Sequence, residues 1–465
     1  MQKTLSVQAV PPHDDHAAAD ATVSRRWATF IDETRFETLP AAIVDRAKIR
    51  ILDGLATAID AHGLPVPETV LAFAGGQPGP STVIGYARRL PAVDAAFVNA
   101  TLVNGSSRDD FLEKSHPCAL VLPAALAVAE ERDASGRDLI AALVAGYEIT
   151  GRAYLGGPRM LPRFRASGVA GAVGAAAAAG HAMRLTPEQL SNALGCAAVF
   201  ASGFGAGFVA GTMDVKLNVG IACRNGLTAA GLARAGATAT PLAFEGASGF
   251  YEAFALGTEQ VSAAVSGLGE RYLIEDVVYK ECPVCIFTQT PIHLARELAA
   301  AHRLGDPAEI ESVVVTAPEA TYTNPGFTNP GPIRNQLPIV VGPRHCTAAA
   351  LLGRPVEQYD FYDRLDDEPV NALAARIELR IGDPARGDEV VVEVRHRGRV
   401  LRAAGAECET LRPSADKVIA KFRRLTDRLG PPQVDRLLDA VLSLDRLDSV
   451  RTLTRLLNVD ARSAR

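Results

Sequence analysis

The stretch DDFLEKSHPC sets Asp109 and Asp110 close to His116, with Pro117 directly after the histidine. Three readings fit these residue types. A carboxylate beside an imidazole can fix the ring's tautomer and let it move a proton near neutral pH. Adjacent carboxylates can bind Mg²⁺, an ion that needs further oxygen ligands, yet no more acidic residues recur at helical spacing nearby. A charged loop in solvent needs no chemistry at all. A second stretch, CPVC, places Cys282 and Cys285 at the spacing of a redox pair or half a zinc site. No second CxxC and no spaced histidine pair completes it, so no metal site is expected there.

The elements that must position these residues are mostly helices. Hydrophobic residues make up 48% of the 465-residue chain and charged residues 22%, with only 6% aromatics, a globular and alanine-rich composition that favours helix. Apolar residues recur at three- and four-residue steps in RAKIRILDGLATAIDA (46–61) and GRDLIAALVAGYEITGRAY (136–154). GVAGAVGAAAAAGHAM (168–183) predicts a helix, and Thr186, Pro187 and Gln189 mark the start of the next one. Near 271 the pattern changes. ESVVVTAP (311–318), ARIELRIGD (375–383) and EVVVEVRHRGRVLRA (389–403) are β-branched, and a Pro/Gly-rich loop covers 321–338. Helical spacing returns after 411.

The expected fold class is mainly α: a large all-helical domain built from both chain ends, 24–270 and 405–465, with a smaller inserted α+β domain, 271–404, closing over it. Residues 1–23 read as a flexible leader without the apolar core of a secretion signal. The charge-free run 193–213 is long enough for a membrane span. Its Ala and Gly content and the missing basic or aromatic flank favour close helix packing instead. A net charge of -5 gives no general attraction to nucleic acid or anionic membrane. Seven scattered cysteines fit a reducing cytoplasm better than a disulfide framework.

Four segments in order carry a family resemblance. FVNATLVNGSSRDDFLEKSHPCALVLPAALA, RFRASGVAGAVGAAAAAG, GTMDVKLNVGIACRNGLTAAGLARAG ending in FEGASGF, and YKECPVCIFTQTPIHLA together resemble the MmgE/PrpD family over roughly residues 25–460. That family includes 2-methylcitrate dehydratase, cis-aconitate decarboxylase and iminodisuccinate epimerase. Asn99, Asp109, Asp110, His116, Pro117, Lys216, Lys280, Pro283 and Cys285 stand in register with its motifs. Where the dehydratase and decarboxylase branches carry histidines, this chain has Asn104, Arg165 and Gln289, and Ser107 replaces the first aspartate of the acid cluster.

The resemblance implies a homodimer acting without a cofactor on a small anionic di- or tricarboxylate. Lys216, between apolar neighbours in VKLNVG, is the candidate base for a proton next to a carboxylate, unless it only snorkels at the surface. His116 is the candidate proton donor, its tautomer fixed by Asp109 or Asp110. Arg165 suits a carboxylate better than acid–base work, because its planar fork binds bidentately and keeps its charge. Ser167, Asn104, Lys280 and Gln289 complete the expected substrate contacts. Cys285 reads as packing rather than nucleophile, and His293, a helical turn beyond Gln289, is a possible substitute imidazole. The expected reaction is a lyase elimination of water or carbon dioxide. The alternatives are epimerisation at the same kind of carbon and a binding protein that has lost the chemistry.

Overall fold

The computed structural model describes residues 22–459 apart from 323, 325, 329–334 and 407–410. Of the expected leader, 1–21 lies outside the described residues, as do Cys408 and part of the 321–338 loop. Val23 already opens a helix.

The first of two large hydrophobic cores is built almost wholly from helices, and the expectation of an all-helical body is corrected only by a short antiparallel strand pair, Ser81–Thr82 with Arg89–Leu90, whose Leu90 joins the core. At its centre lies the helix Ala166–Ala182, buried along almost its whole length and packed against Pro117–Glu131, Gly136–Leu155 and Asp214–Arg234. Its small side chains let helices approach on every side, which a one-faced apolar stripe would not allow. The approach leaves no slack: a Cβ on Gly226 would sit 2.5 Å from the carbonyl oxygen of Ala172. The next helix, Pro187–Phe200, starts as its sequence predicts, with Gln189 N donating to Thr186 Oγ1 at 3.3 Å and Thr186 N donating to Gln189 Oε1 at 3.1 Å. The charge-free run 193–213 is no continuous helix: it breaks after Phe200 and resumes only as the short helix Ala206–Ala210. Among the described residues no helix is long and apolar enough to cross a membrane.

The second core belongs to a four-stranded sheet with the helices Ile286–His302 and Pro343–Leu351. The strand order is Ile377–Ile381, Ile310–Ala317, Glu389–His396, Arg399–Ala406; the first pair is parallel and the others antiparallel. Val313, Val315, Val390, Val392 and Val394 are buried in this core. The run 389–403, read as one β-branched stretch, is a hairpin turning at Arg397 and Gly398, whose φ values are +51° and +72°. Helices from the far end of the chain then rejoin the first core. Ala415–Leu425 packs on Ala41–Asp60 through Phe422 and Leu425, and Pro431–Leu442 adds Val434, Leu437 and Val441. A large helical body made from both chain ends and a small sheet-bearing body is therefore the observed fold.

Candidate active site

A cavity of about 850 Å³, counted to its open mouth, lies where the two bodies meet. The helical body contributes Asn104, Ser107, His116, Arg165, Ser167 and Lys216, and the sheet-bearing body contributes Cys285, Phe287 and Asn324, with Lys280 on the link leading into it. Helix ends do the positioning. His116 precedes the helix Pro117–Glu131, Arg165 precedes Ala166–Ala182, and Lys216 stands in the first turn of Asp214–Arg234. Backbone at such ends is not consumed by the helix ladder, so side chains there can face a cleft between bodies. Close packing holds one of these ends in place, since a Cβ on Gly168 would come within 2.1 Å of Ser202 O. Four Lys or Arg side chains line the cavity, Lys114, Arg165, Lys216 and Lys280, and no Asp or Glu does among the described residues.

The acid that organises the site lies behind its wall. Asp109 is 0% exposed. Its Oδ2 is 3.1 Å from His116 Nδ1 and accepts a 2.8 Å hydrogen bond from Asn104 Nδ2, while its Oδ1 is 3.4 Å from Lys280 Nζ. Burial alone would raise its pKa, but His116, Lys280 and Asn104 overcome burial and hold it well below the usual carboxylate range. The ion pair with Lys280 and the amide hydrogen bond persist when the imidazole is neutral, so Asp109 stays ionised. His116 Nδ1 is also 3.0 Å from the backbone oxygen of Asp110. With two acceptors facing it, Nδ1 carries the proton, and Nε2 is the nitrogen left for a reacting group. Burial lowers the His116 pKa against the opposing pull of Asp109, so the ring rests neutral. Ser167 Oγ accepts from His116 N at 3.2 Å and fixes the base of the ring.

Lys216 Nζ donates to the backbone oxygens of Asn104, at 3.1 Å, and Gly105, and to Ser107 Oγ at 2.8 Å. Three acceptors match the three hydrogens of an ammonium. Burial, together with Lys280 and Arg165, draws the Lys216 pKa down to about 7 against the pull of Asp109. Both protonation states are thus accessible near neutrality, as a proton carrier requires.

Arg165 is 6% exposed and its Nη1 makes no hydrogen bond. Its guanidinium lies 5.4 Å from the centroid of the Phe208 ring. Burial lowers its pKa to about 10, leaving it charged at any working pH. A buried cationic fork with an empty donor beside a cavity has the chemistry to hold an anion.

The remaining sequence candidates lie elsewhere. Asp110 does not line the cavity: Tyr147 donates to its Oδ2 at 2.7 Å and Cys118 N to its Oδ1 at 3.0 Å, and burial pushes its pKa up to about 7. It supports the loop and reaches His116 only through its backbone oxygen. The substrate contact expected of Gln289 finds no geometry either. Its Oε1 accepts from the backbone N of Glu281 and Cys282 at 3.2 and 3.1 Å, and its Nε2 donates to the backbone O of Cys282 and Val284 at 2.9 and 3.3 Å. Gln289 splints the loop that presents Lys280 and Cys285. His293 faces away from the cavity and pairs with Glu297 at 3.1 Å. Among the described residues, no group of three or more His, Cys, Asp or Glu stands together as a metal site, and the cysteines are free. The sequence reading missed Lys114 as a cavity cation and Ser107 as an acceptor for Lys216. Ser107 was noticed only as a departure from the family, and nothing local marks Lys114.

Comparison with known proteins bears on the same segments. Residues 25–262 match the MmgE/PrpD N-terminal domain and 282–446 the MmgE/PrpD C-terminal domain. A cis-aconitate decarboxylase of Aspergillus terreus is 26% identical over 92% of this chain and 94% of its own. The cis-aconitate decarboxylases of Mus musculus and Homo sapiens are 29% and 28% identical, each over 66% of both chains. Matched by both domains in order over most of its length, the chain belongs to the MmgE/PrpD family.

Proposed function

We propose that the protein is a lyase that eliminates carbon dioxide or water from a small di- or tricarboxylate, with Arg165 holding a substrate carboxylate and His116 and Lys216 handling protons. The observation that carries this reading is that a committed imidazole and a lysine with a pKa near 7 share one cavity that has cations but no acid on its walls. The related enzymes named cis-aconitate decarboxylase support the substrate class.

The geometry favours proton roles opposite to those read from the sequence. At neutral pH His116 offers the lone pair of Nε2 and is the base; Lys216, as an ammonium, is the acid. In a dehydration His116 takes the proton next to the carboxylate, the carbon–hydrogen electron pair becomes the new double bond, and Lys216 protonates the departing hydroxyl. In a decarboxylation the carbon–carbon bond breaks, carbon dioxide leaves, and Lys216 protonates the carbon that keeps the electron pair. Both routes need one donor beside an anchored carboxylate.

Incubation with citrate-, aconitate- and aspartate-like acids in deuterated water is the test. Release of water or carbon dioxide supports the lyase. Deuterium washed into unchanged substrate would point instead to epimerisation, and binding without either to a protein that has lost the chemistry.

The same proposal includes a cytoplasmic homodimer. Val199, Phe204, Val209 and Met213 are exposed apolar side chains around the short helix Ala206–Ala210, a surface that a second copy would cover. Light scattering that gives a strict monomer would remove the dimer.

A further inference from the structure

A second groove, of about 1800 Å³ counted to its open mouth, lies between the returning helix Ala415–Leu425 and the helix Ile286–His302. Both connections between the bodies line it, Tyr279 to Glu281 on the way out and Arg412 to Ser414 on the way back. They touch there, with Tyr279 N donating to Leu411 O at 2.9 Å. Five Lys or Arg side chains face the groove, Lys280, Arg412, Lys417, Lys421 and Arg424, against two acids among the described residues, Glu281 and Glu297. Both acids are engaged: Glu281 Oε1 lies 3.9 Å from Arg296 Nη1, and Glu297 Oε1 lies 3.1 Å from His293 Nε2.

The cations are not equally committed. Lys421, 7% exposed, is 2.7 Å from Asp53 Oδ1 and donates to Arg108 O at 2.9 Å, and Arg412 is 3.8 Å from Asp276. Lys280 is 2% exposed, and its one partner among the described residues is Asp109 at 3.4 Å, so two of its three ammonium hydrogens are unused. Lys417 and Arg424 are exposed, and their side chains form no ion pair or hydrogen bond among the described residues. The charges also crowd one another: burial lowers the Lys421 pKa, and Arg108 and Lys280 push the same way against the pull of Asp53. Lys417, Lys421 and Arg424 stand at i, i+4 and i+7 of one helix, which sets them along one face over about 10 Å. Unmet positive charge in a walled groove concentrates anions. A row of that length exceeds what one carboxylate or one phosphate can meet, whereas a chain of phosphates carries several charges in line, and lysines bind phosphate as point charges.

We propose that this groove is an anion site separate from the candidate active site, built for a chain of two or three phosphates, free or carried by a nucleotide. Lys280 lines both the groove and the cavity of His116 and Lys216, so a ligand in the groove draws on the same ammonium that pairs with Asp109. The assignment is independent of which reaction the cavity performs.

Calorimetric titration of the full-length protein with tripolyphosphate, a nucleoside triphosphate and inorganic phosphate, in magnesium-free buffer, tests it. Tripolyphosphate should bind roughly 10-fold or more tightly than inorganic phosphate, because it meets several of the cations at once. A nucleoside triphosphate that binds more tightly still assigns the site to a nucleotide; equal or weaker binding assigns it to the free chain. Lys417→Glu combined with Arg424→Glu reverses two exposed charges and should lower the affinity for tripolyphosphate by roughly 10- to 100-fold. Lys417→Arg with Arg424→Lys should keep most of it, and Arg165→Met, which alters only the other cavity, should leave it unchanged. Three results would overturn the proposal: no binding of tripolyphosphate, a loss in Arg165→Met in place of the groove variant, or an equal loss from Arg234→Glu with Arg436→Glu, two exposed arginines outside the groove.

Discussion

The Asp109 carboxylate, fully buried, lies 3.1 Å from Nδ1 of His116 and determines which nitrogen of the ring is available for chemistry. Asp109→Asn keeps the volume and removes the charge, so the amide can present its NH₂ to Nδ1 and invert the tautomer. We expect kcat to fall by about 10²- to 10⁴-fold, the usual contribution of a positioned acid or base, with KM little changed. A steady-state comparison with the wild type checks this, and an unaltered kcat would separate Asp109 from the reaction.

The expected pH profile follows from the two proposed proton carriers. His116 must be neutral, and its pKa lies below the ordinary 6.5, so kcat/KM should climb as pH rises through that lower value. Lys216 must be protonated and titrates near 7, so activity should decline as pH passes through about 7. The result is a narrow bell on the acid side of neutrality. Lys216→Arg should shift the alkaline limb upward in whatever activity it retains, and Lys216→Ala should abolish turnover. A profile that only rises through pH 7 would return Lys216 to the role of base.

In the proposed function Arg165 trades stability for binding. Its Nη1 is buried without a partner, so Arg165→Met should stabilise the unliganded protein, by on the order of 1–3 kcal/mol if the whole desolvation cost of that group is recovered. The same variant should lose substrate. Arg165→Lys keeps the charge but not the fork and should mainly raise KM. Calorimetric Tm read beside KM checks both; a Tm that drops in Arg165→Met would mean the guanidinium is a structural strut.

Gln289 should behave as a splint. Gln289→Leu leaves the backbone groups of Glu281, Cys282 and Val284 without their side-chain partners, and each one left buried costs about 1–3 kcal/mol. We expect a clear fall in Tm, with lower kcat because Lys280 loses its placement. Gln289→His should also destabilise, since an imidazole cannot serve two donors and two acceptors at once. A stable, fully active Gln289→Leu protein would disprove the splint.

Local sequence information was sufficient for the helices and for the types of residue at the site. Apolar periodicity marked Gly136–Leu155, a Thr-Pro-x-Gln start marked Pro187–Phe200, and β-branched runs marked the sheet, because each signal is written within a turn or two of chain. The same locality explains what was not legible. Asp109 meets Lys280 across most of the chain's helical body, Lys216 reaches carbonyls far upstream in sequence, and Arg165 owes its empty donor to neighbours that no spacing rule connects. Gln289 and Arg165 were both read as standing at histidine positions of the resembled branches, yet one faces backbone and the other the cavity. Helix packing decided that difference, since side-chain direction depends on which face the neighbouring elements cover. Lys114 was hidden for a related reason: Glu-Lys carries no turn signal, and only tertiary contacts hold it left-handed. Composition and periodicity therefore determined the elements and their chemical inventory, whereas long-range packing decided which charges face one another and which nitrogen of His116 meets the cavity.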